Sequence, residues 1–389
     1  AIKYVRTTLP EQSDSLLTSA YMESVICIVG DNLKSVHEVW FNDQQAALNT
    51  SYMTDHTLIV AVPPAIPEEV TNKIYFKTAS GKVVDYDFNV LVPQPVIYSM
   101  NNEWAAPGEE VTLTGNYFCD DPNIPIEVIL PGNITVTEFS NVTLNSLTFV
   151  MPEEATIEGA ITVKSLYGTG RSSFYYRDSR GMLFDWDGDK GLSIGHGWRS
   201  GEALIGVRDD IPALNGNYIC FDGKVTSAWP DEDKLSFNYW PEPAAGFPAL
   251  STMFDVNKFA DMSLKFEVYI PSTVDWNTNS LNVIFTGDDH VTYATGNNAY
   301  IGDDGVTRFL WTPWRNAEGQ SYNTGDRWIT VTAPLSQFTL TRYGAACANP
   351  LNVNHFTGLT FIVYAGYFDD ETECNLVMAI DNIRVVPNY

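Results

Sequence analysis

The sequence predicts an all-β chain: two tandem immunoglobulin-like sandwiches followed by a larger β-jelly-roll sandwich. Three observations carry this. Helical periodicity is almost absent, and short runs of Val, Ile, Thr, Tyr and Phe alternate with turns of Gly, Pro, Asn and Asp. The first half repeats itself. The composition then changes abruptly after "YRDSRG" (176–181), where tryptophan accumulates.

The repeat defines the first two domains. Gly30-Asp31-Asn32-Leu33 follows an apolar run, and Gly115-Asn116-Tyr117-Phe118 does the same 85 positions later. "TLIVAVP" (57–63) answers "SLTFVMP" (146–152), and two Gly-turn hairpins, 72–90 and 159–176, answer each other. A period of 85–90 residues suits a sandwich of about seven short strands. "VPQPVIY" (92–98), with Pro93 and Pro95, reads as a short stiff join. The bounds that follow are 1–93 and 94–178 for two spacer domains and 179–389 for the last domain. Eight of the ten tryptophans lie in that last stretch, which is too long for one more small sandwich.

The 389 residues are 44% hydrophobic and 18% charged, enough apolar material for several cores. No apolar run approaches the ~18 residues a membrane helix needs. The formal net charge of −26 disfavours nucleic acid and acidic polysaccharides as partners and favours a neutral one. Cys27, Cys119, Cys220, Cys347 and Cys374 are scattered, with no CxxC. Cys27 and Cys220 read as small buried residues, and spacing leaves open whether Cys347 and Cys374 pair. The five histidines show no zinc-ligand spacing.

"RFLWTPWRN" (308–316) poses the functional question. In a strand, Phe309 and Trp311 share one face, and Arg308 and Leu310 the other. Pro313 stops the strand and leaves Trp314 on a loop. Trp276 has polar, loop-like neighbours in Asp275, Asn277, Thr278 and Asn279. Flat rings beside polar groups suit pyranose sugars, whose C–H faces are apolar and whose edges carry hydroxyls. The candidate glycan-binding residues are therefore Trp276, Trp311 and Trp314, with Trp240 and Tyr322 as further rings. Arg315, Asn316, Glu318 and Gln320 are candidate hydrogen-bonding partners. Trp186, Trp198 and Trp328 read as structural.

Catalysis is not expected. Glycoside hydrolysis needs two facing carboxylates. Glu267, in "SLKFEVYI", falls beside Lys265 on the outer strand face and reads as a solvated pair. No GxSxG elbow is present. No cofactor is expected either. "FDWDGD" (184–189) fails the EF-hand template, since position 6 is Lys190 and position 12 is His196. It reads as an acidic turn, with a structural calcium between Asp185 and Asp381 as the alternative.

The repeats resemble IPT/TIG-type domains. The C-terminal strings "SLKFEVYIPSTVDW", "RFLWTPWRNAEGQSYNTGDRWITVTAPLSQF", "FTGLTFIVYAG" and "AIDNIRVVP" resemble the last domain of surface glycan-binding proteins from bacterial polysaccharide-utilisation systems. That resemblance implies a spacer arm and a C-terminal domain binding a neutral polysaccharide or oligosaccharide. Its aromatics would fall on Trp276, Trp311 and Pro313-Trp314. It also implies the outer face of the outer membrane, a lipid anchor upstream of Ala1 and an outer-membrane glycan transporter complex as partner. A monomer is expected. The expected ligand is a β-glucan, β-1,3 or mixed-linkage first and xyloglucan second. The competing reading is a cell-surface adhesin for a protein partner.

Overall fold

The structure, a computed structural model, describes residues 1–12, 14–194, 204–226, 232–288, 299–365 and 372–388. The chain divides into two compact units. One holds Ala1–Val96 with Tyr117–Ile126 and Lys164–Gly170; the other holds Ile97–Asn116, Glu127–Val163 and Arg171–Tyr389.

The first sandwich sets Leu16–Leu17, Ile2–Thr7, Val25–Gly30 and Thr57–Ala61 in one sheet and Gln44–Gln45, Val36–Phe41, Lys73–Thr78 and Val83–Asp87 in the other. Alternate residues of the facing strands, Ile26 and Ile28, Val39 and Phe41, Leu58 and Val60, Ile74 and Phe76, fill its core. Val96–Met100, Glu110–Asn116 and Ser146–Val150 repeat the first sheet, and Glu127–Leu130, Gly159–Ser165 and Gly168–Tyr176 repeat the second. The repeat extends to backbone detail: Asn32 and Tyr117, 85 positions apart, both sit at left-handed φ (62° and 60°) after their strands.

The C-terminal sandwich has eight main strands: Tyr218–Thr226, Ser236–Tyr239, Met262–Tyr269, Leu281–Thr286, Phe309–Trp311, Trp328–Pro334, Gly358–Val363 and Glu373–Pro387. In chain order, one sheet runs first, eighth, third, sixth and the other second, seventh, fourth, fifth. This is the connectivity of a jelly roll. Met182–Phe184 also pairs with the 15-residue strand Glu373–Pro387. Leu264, Phe266 and Val268 face Leu281, Val283, Phe285, Leu359 and Phe361 across the core.

The outer face of Met262–Tyr269 departs from the sequence reading. Lys265 and Glu267 are buried, not solvated. Lys265 pairs with Glu103, which arrives from the second sandwich, and Glu267 pairs with Arg384 at 2.7 Å. Strand alternation correctly sends both side chains outward, but it cannot reveal that another domain covers that face. The five cysteines are free, Cys347 and Cys374 included.

Candidate functional site

The strand ends at Leu281, Trp311 and Val363 lie in register at one end of the smaller C-terminal sheet. Phe309 and Trp311 point inward, and Pro313 opens a short 3-10 turn, Pro313–Asn316. The indole of Trp311 is half-buried. It meets Phe266 edge-on at 6.3 Å, Trp276 at 5.5 Å and Tyr322 at 5.9 Å between ring centroids.

Trp276 and Trp314 are anchors beneath this end. Trp276 is fully buried and Trp314 is 7% exposed. Trp276 Nε1 donates to the Thr278 carbonyl at 2.8 Å, and Trp314 Nε1 to the Asn279 carbonyl at 2.9 Å. With both faces covered and each N–H used, neither ring is open to stack on a sugar. This corrects their reading as platform rings. The polar neighbours that made Trp276 look loop-like supply the carbonyls that hold these indoles. The backbone of Trp276 also bridges that of Tyr322 through two hydrogen bonds, at 3.3 and 2.9 Å. Thr312 Oγ1 and Ser280 Oγ, 2.7 Å apart, tie the two loops together.

The rings at this end that keep some exposure are the partly buried Trp311 and Tyr322, with Arg315, Asn316, Glu318 and Gln320 exposed on the turns between them. Burial pushes the Tyr322 hydroxyl above its ordinary pKa, so it is a neutral phenol at physiological pH. Asn277 was not singled out in the sequence, yet its Oδ1 is shielded and has no hydrogen-bond partner among the described residues. Only its place beside a buried tryptophan could have marked it. Trp240 does not join the group. It follows Tyr239, which pairs with Leu359 at the opposite end of the same sheet. Trp198 and Trp229 lie outside the described residues.

The structural tryptophans are placed by their partners. Trp186 stacks on Phe184 at 5.3 Å. Trp328 packs against Tyr218 and Tyr269 and donates Nε1 to the Pro212 carbonyl at 2.8 Å. Glu267 is fully buried, and both its oxygens are engaged by Arg384.

Residues 176–387 match the family model for the surface glycan-binding protein B xyloglucan-binding domain, and residues 9–106 match a TIG domain. The solved structure of the surface glycan-binding protein PbSGBP-B from Prevotella bryantii is 37% identical, with a TM-score of 0.83 over 100% of this chain and 99% of that one. An IPT/TIG domain-containing protein of Bacteroides ovatus is 26% identical over 188 residues, 44% of this chain. The match spans 38% of that relative's length. More than half of the chain falls within the glycan-binding match, on the jelly roll whose tryptophan-lined end has been described, and the chain belongs to the family of surface glycan-binding proteins B, built as a TIG-type arm and a C-terminal glycan-binding domain.

Proposed function

We propose that the C-terminal domain captures a neutral β-glucan at the Trp311–Tyr322 end of the jelly roll, without cleaving it. The observation that carries this is a partly exposed indole beside a partly exposed phenol, both held against buried, hydrogen-bonded Trp276 and flanked by exposed Arg315 and Asn316. A pyranose stacked on such a ring removes some 50–60 Å² of apolar surface, about 1–1.5 kcal/mol at ~25 cal/mol/Å². Two rings and a few hydrogen bonds then give affinities on the order of micromolar to millimolar. Many copies on one surface make weak sites effective through avidity.

The net charge of −26 supports a neutral ligand. β-1,3 or mixed-linkage glucan is the first choice. Xyloglucan, for which the matching family is named, is the second. The proposed setting is the outer face of the outer membrane, through a lipid anchor upstream of Ala1, delivering glycan to a transporter. The proposal of binding without cleavage is supported by Glu267, whose oxygens are both held by Arg384 on the outer face of the larger sheet.

The test is isothermal titration of the full chain with laminarin, barley β-glucan, xyloglucan, galactomannan and starch, followed by a reducing-end assay overnight. Saturable binding to a β-glucan with no new reducing ends is the expected outcome. Silence toward every β-glucan, or release of reducing ends, overturns the reading.

A further inference from the structure

Asp381 is fully buried on the outer face of the larger C-terminal sheet, paired in register with Glu267. Its Oδ1 accepts the backbone N–H of Asn382 at 2.7 Å, and its Oδ2 has no partner among the described residues. The charged groups that bear on it most are Glu267, Asp187 and Asp185, all negative. No ion pair reaches Asp381 or Asp187 among the described residues. Arg384, three residues on, turns its two terminal nitrogens to Glu267, Glu103 and the Asn382 carbonyl, and its Nε has no partner among the described residues.

A second carboxylate shares the condition. Asp187 Oδ1 accepts from the backbone and side-chain nitrogens of Asn217 at 3.0 and 2.8 Å, while its Oδ2 is shielded and has no partner among the described residues. Two positions before Asn217, Asn215 exchanges amide hydrogen bonds with Asn382, the neighbour of Asp381. Gly216, at φ +133°, lies so close to Asp187 that a Cβ there would stand 2.2 Å from Oδ2. One loop therefore touches both acidic positions. Asp185 is not a donor here: its two oxygens accept four backbone N–H groups, those of Asp187, Gly188, Lys190 and Gly191.

We infer that Asp381 and Asp187 are the carboxylate donors of a divalent-cation site, with Ca²⁺ as the fitting ion. Two unpartnered carboxylate oxygens in a buried, negative setting lack one thing, a positive charge. The available donors are all oxygens, which selects a hard cation over zinc or copper. The side-chain oxygens of Asn215 and Asn382 each accept one hydrogen bond and keep a lone pair for the ion. Among the described residues no three Asp, Glu, His or Cys side chains form a metal cluster. Two carboxylates, amide oxygens and solvent make up the set, as calcium's 6–8 oxygen coordination permits. The ion would pin the 207–217 loop to the turn after Met182–Phe184 and to the strand Glu373–Pro387.

The test uses the full chain dialysed against EGTA, then titrated with CaCl₂ alone and melted with and without it. One calcium per chain and a rise in Tm of roughly 5 °C at saturation are expected. Asp381→Asn is nearly isosteric. It abolishes the calcium response yet melts in EGTA about as high as the wild type, because the position it changes has no hydrogen bond to lose among the described residues. Asp187→Asn weakens calcium binding at least tenfold. No calcium heat with identical melting in CaCl₂ and EGTA overturns the inference and leaves Asp381 a buried protonated acid. An intact calcium response in Asp381→Asn overturns it as well.

Discussion

Arg384 Nη2 and Glu103 Oε2 stand 2.9 Å apart across 281 positions of sequence, and both side chains are buried. The same guanidinium binds Glu267, while Lys265 takes the other oxygen of Glu103. Two cations and two anions close a neutral network between the second sandwich and the jelly roll. Removing one member strands the rest in a dry interior. Arg384→Met leaves two carboxylates facing each other and lowers unfolding free energy by about 3–5 kcal/mol in urea denaturation. Glu103→Gln keeps the shape and costs less. Equal midpoints for Arg384→Met and wild type would remove the network from the list of stabilising contacts.

Stability and binding separate at the tryptophans. Trp276→Ala empties a fully buried site and costs about 3–5 kcal/mol in the same assay. Trp311→Ala removes a partly exposed ring at the edge of the core. It weakens β-glucan binding about tenfold, the equivalent of ~1.4 kcal/mol, and shifts the midpoint much less. The reverse ranking would place sugar contact on Trp276.

Arg315→Ala and Asn316→Ala each reduce glycan affinity about fivefold, the scale of one hydrogen bond. Trp240→Ala, at the other end of the sheet, leaves the titration curve unchanged. A loss with Trp240→Ala equal to that of Trp311→Ala would move the ligand to the wrong end of the sandwich.

Asp185 predicts a pH dependence. Burial pushes its carboxyl up, but four backbone N–H groups together outweigh burial and hold it below its ordinary value. A depressed carboxylate stabilises fully above the unfolded-state pKa and loses that contribution as pH falls through the folded one. Asp185→Asn therefore costs about 2–3 kcal/mol at pH 7, and the gap to the wild type narrows below pH ~4. Melting curves of both proteins between pH 3 and 7 check this.

Strand content and the 85-residue repeat were legible because alternation and Gly turns are local signals. "TLIVAVP" and "SLTFVMP" occupy equivalent strands, Thr57–Ala61 and Ser146–Val150. Burial at the site was not legible. Trp276 lies among polar residues, yet its backbone bridge to Tyr322 turns the ring inward, and nothing in "STVDWNTNS" encodes the partner 46 positions away. Glu267 and Lys265 misled for the opposite reason. Their strand face was right, and a residue from another domain, Glu103, made it an interior. At Asn382 the backbone enters φ +47° inside the longest strand, a break that "AIDNIRVVP" does not announce.

The 15-residue strand Glu373–Pro387 hydrogen-bonds to Tyr218–Thr226, Met262–Tyr269 and Met182–Phe184, so the centre of the larger sheet is made of the domain's last residues. On the ribosome, the flanking strands emerge long before the strand that joins them. Until it arrives, two apolar edges stand open to other chains. The larger sheet of the jelly roll thus closes only once Glu373–Pro387 has been made, while each of the two earlier sandwiches pairs its own strands without it.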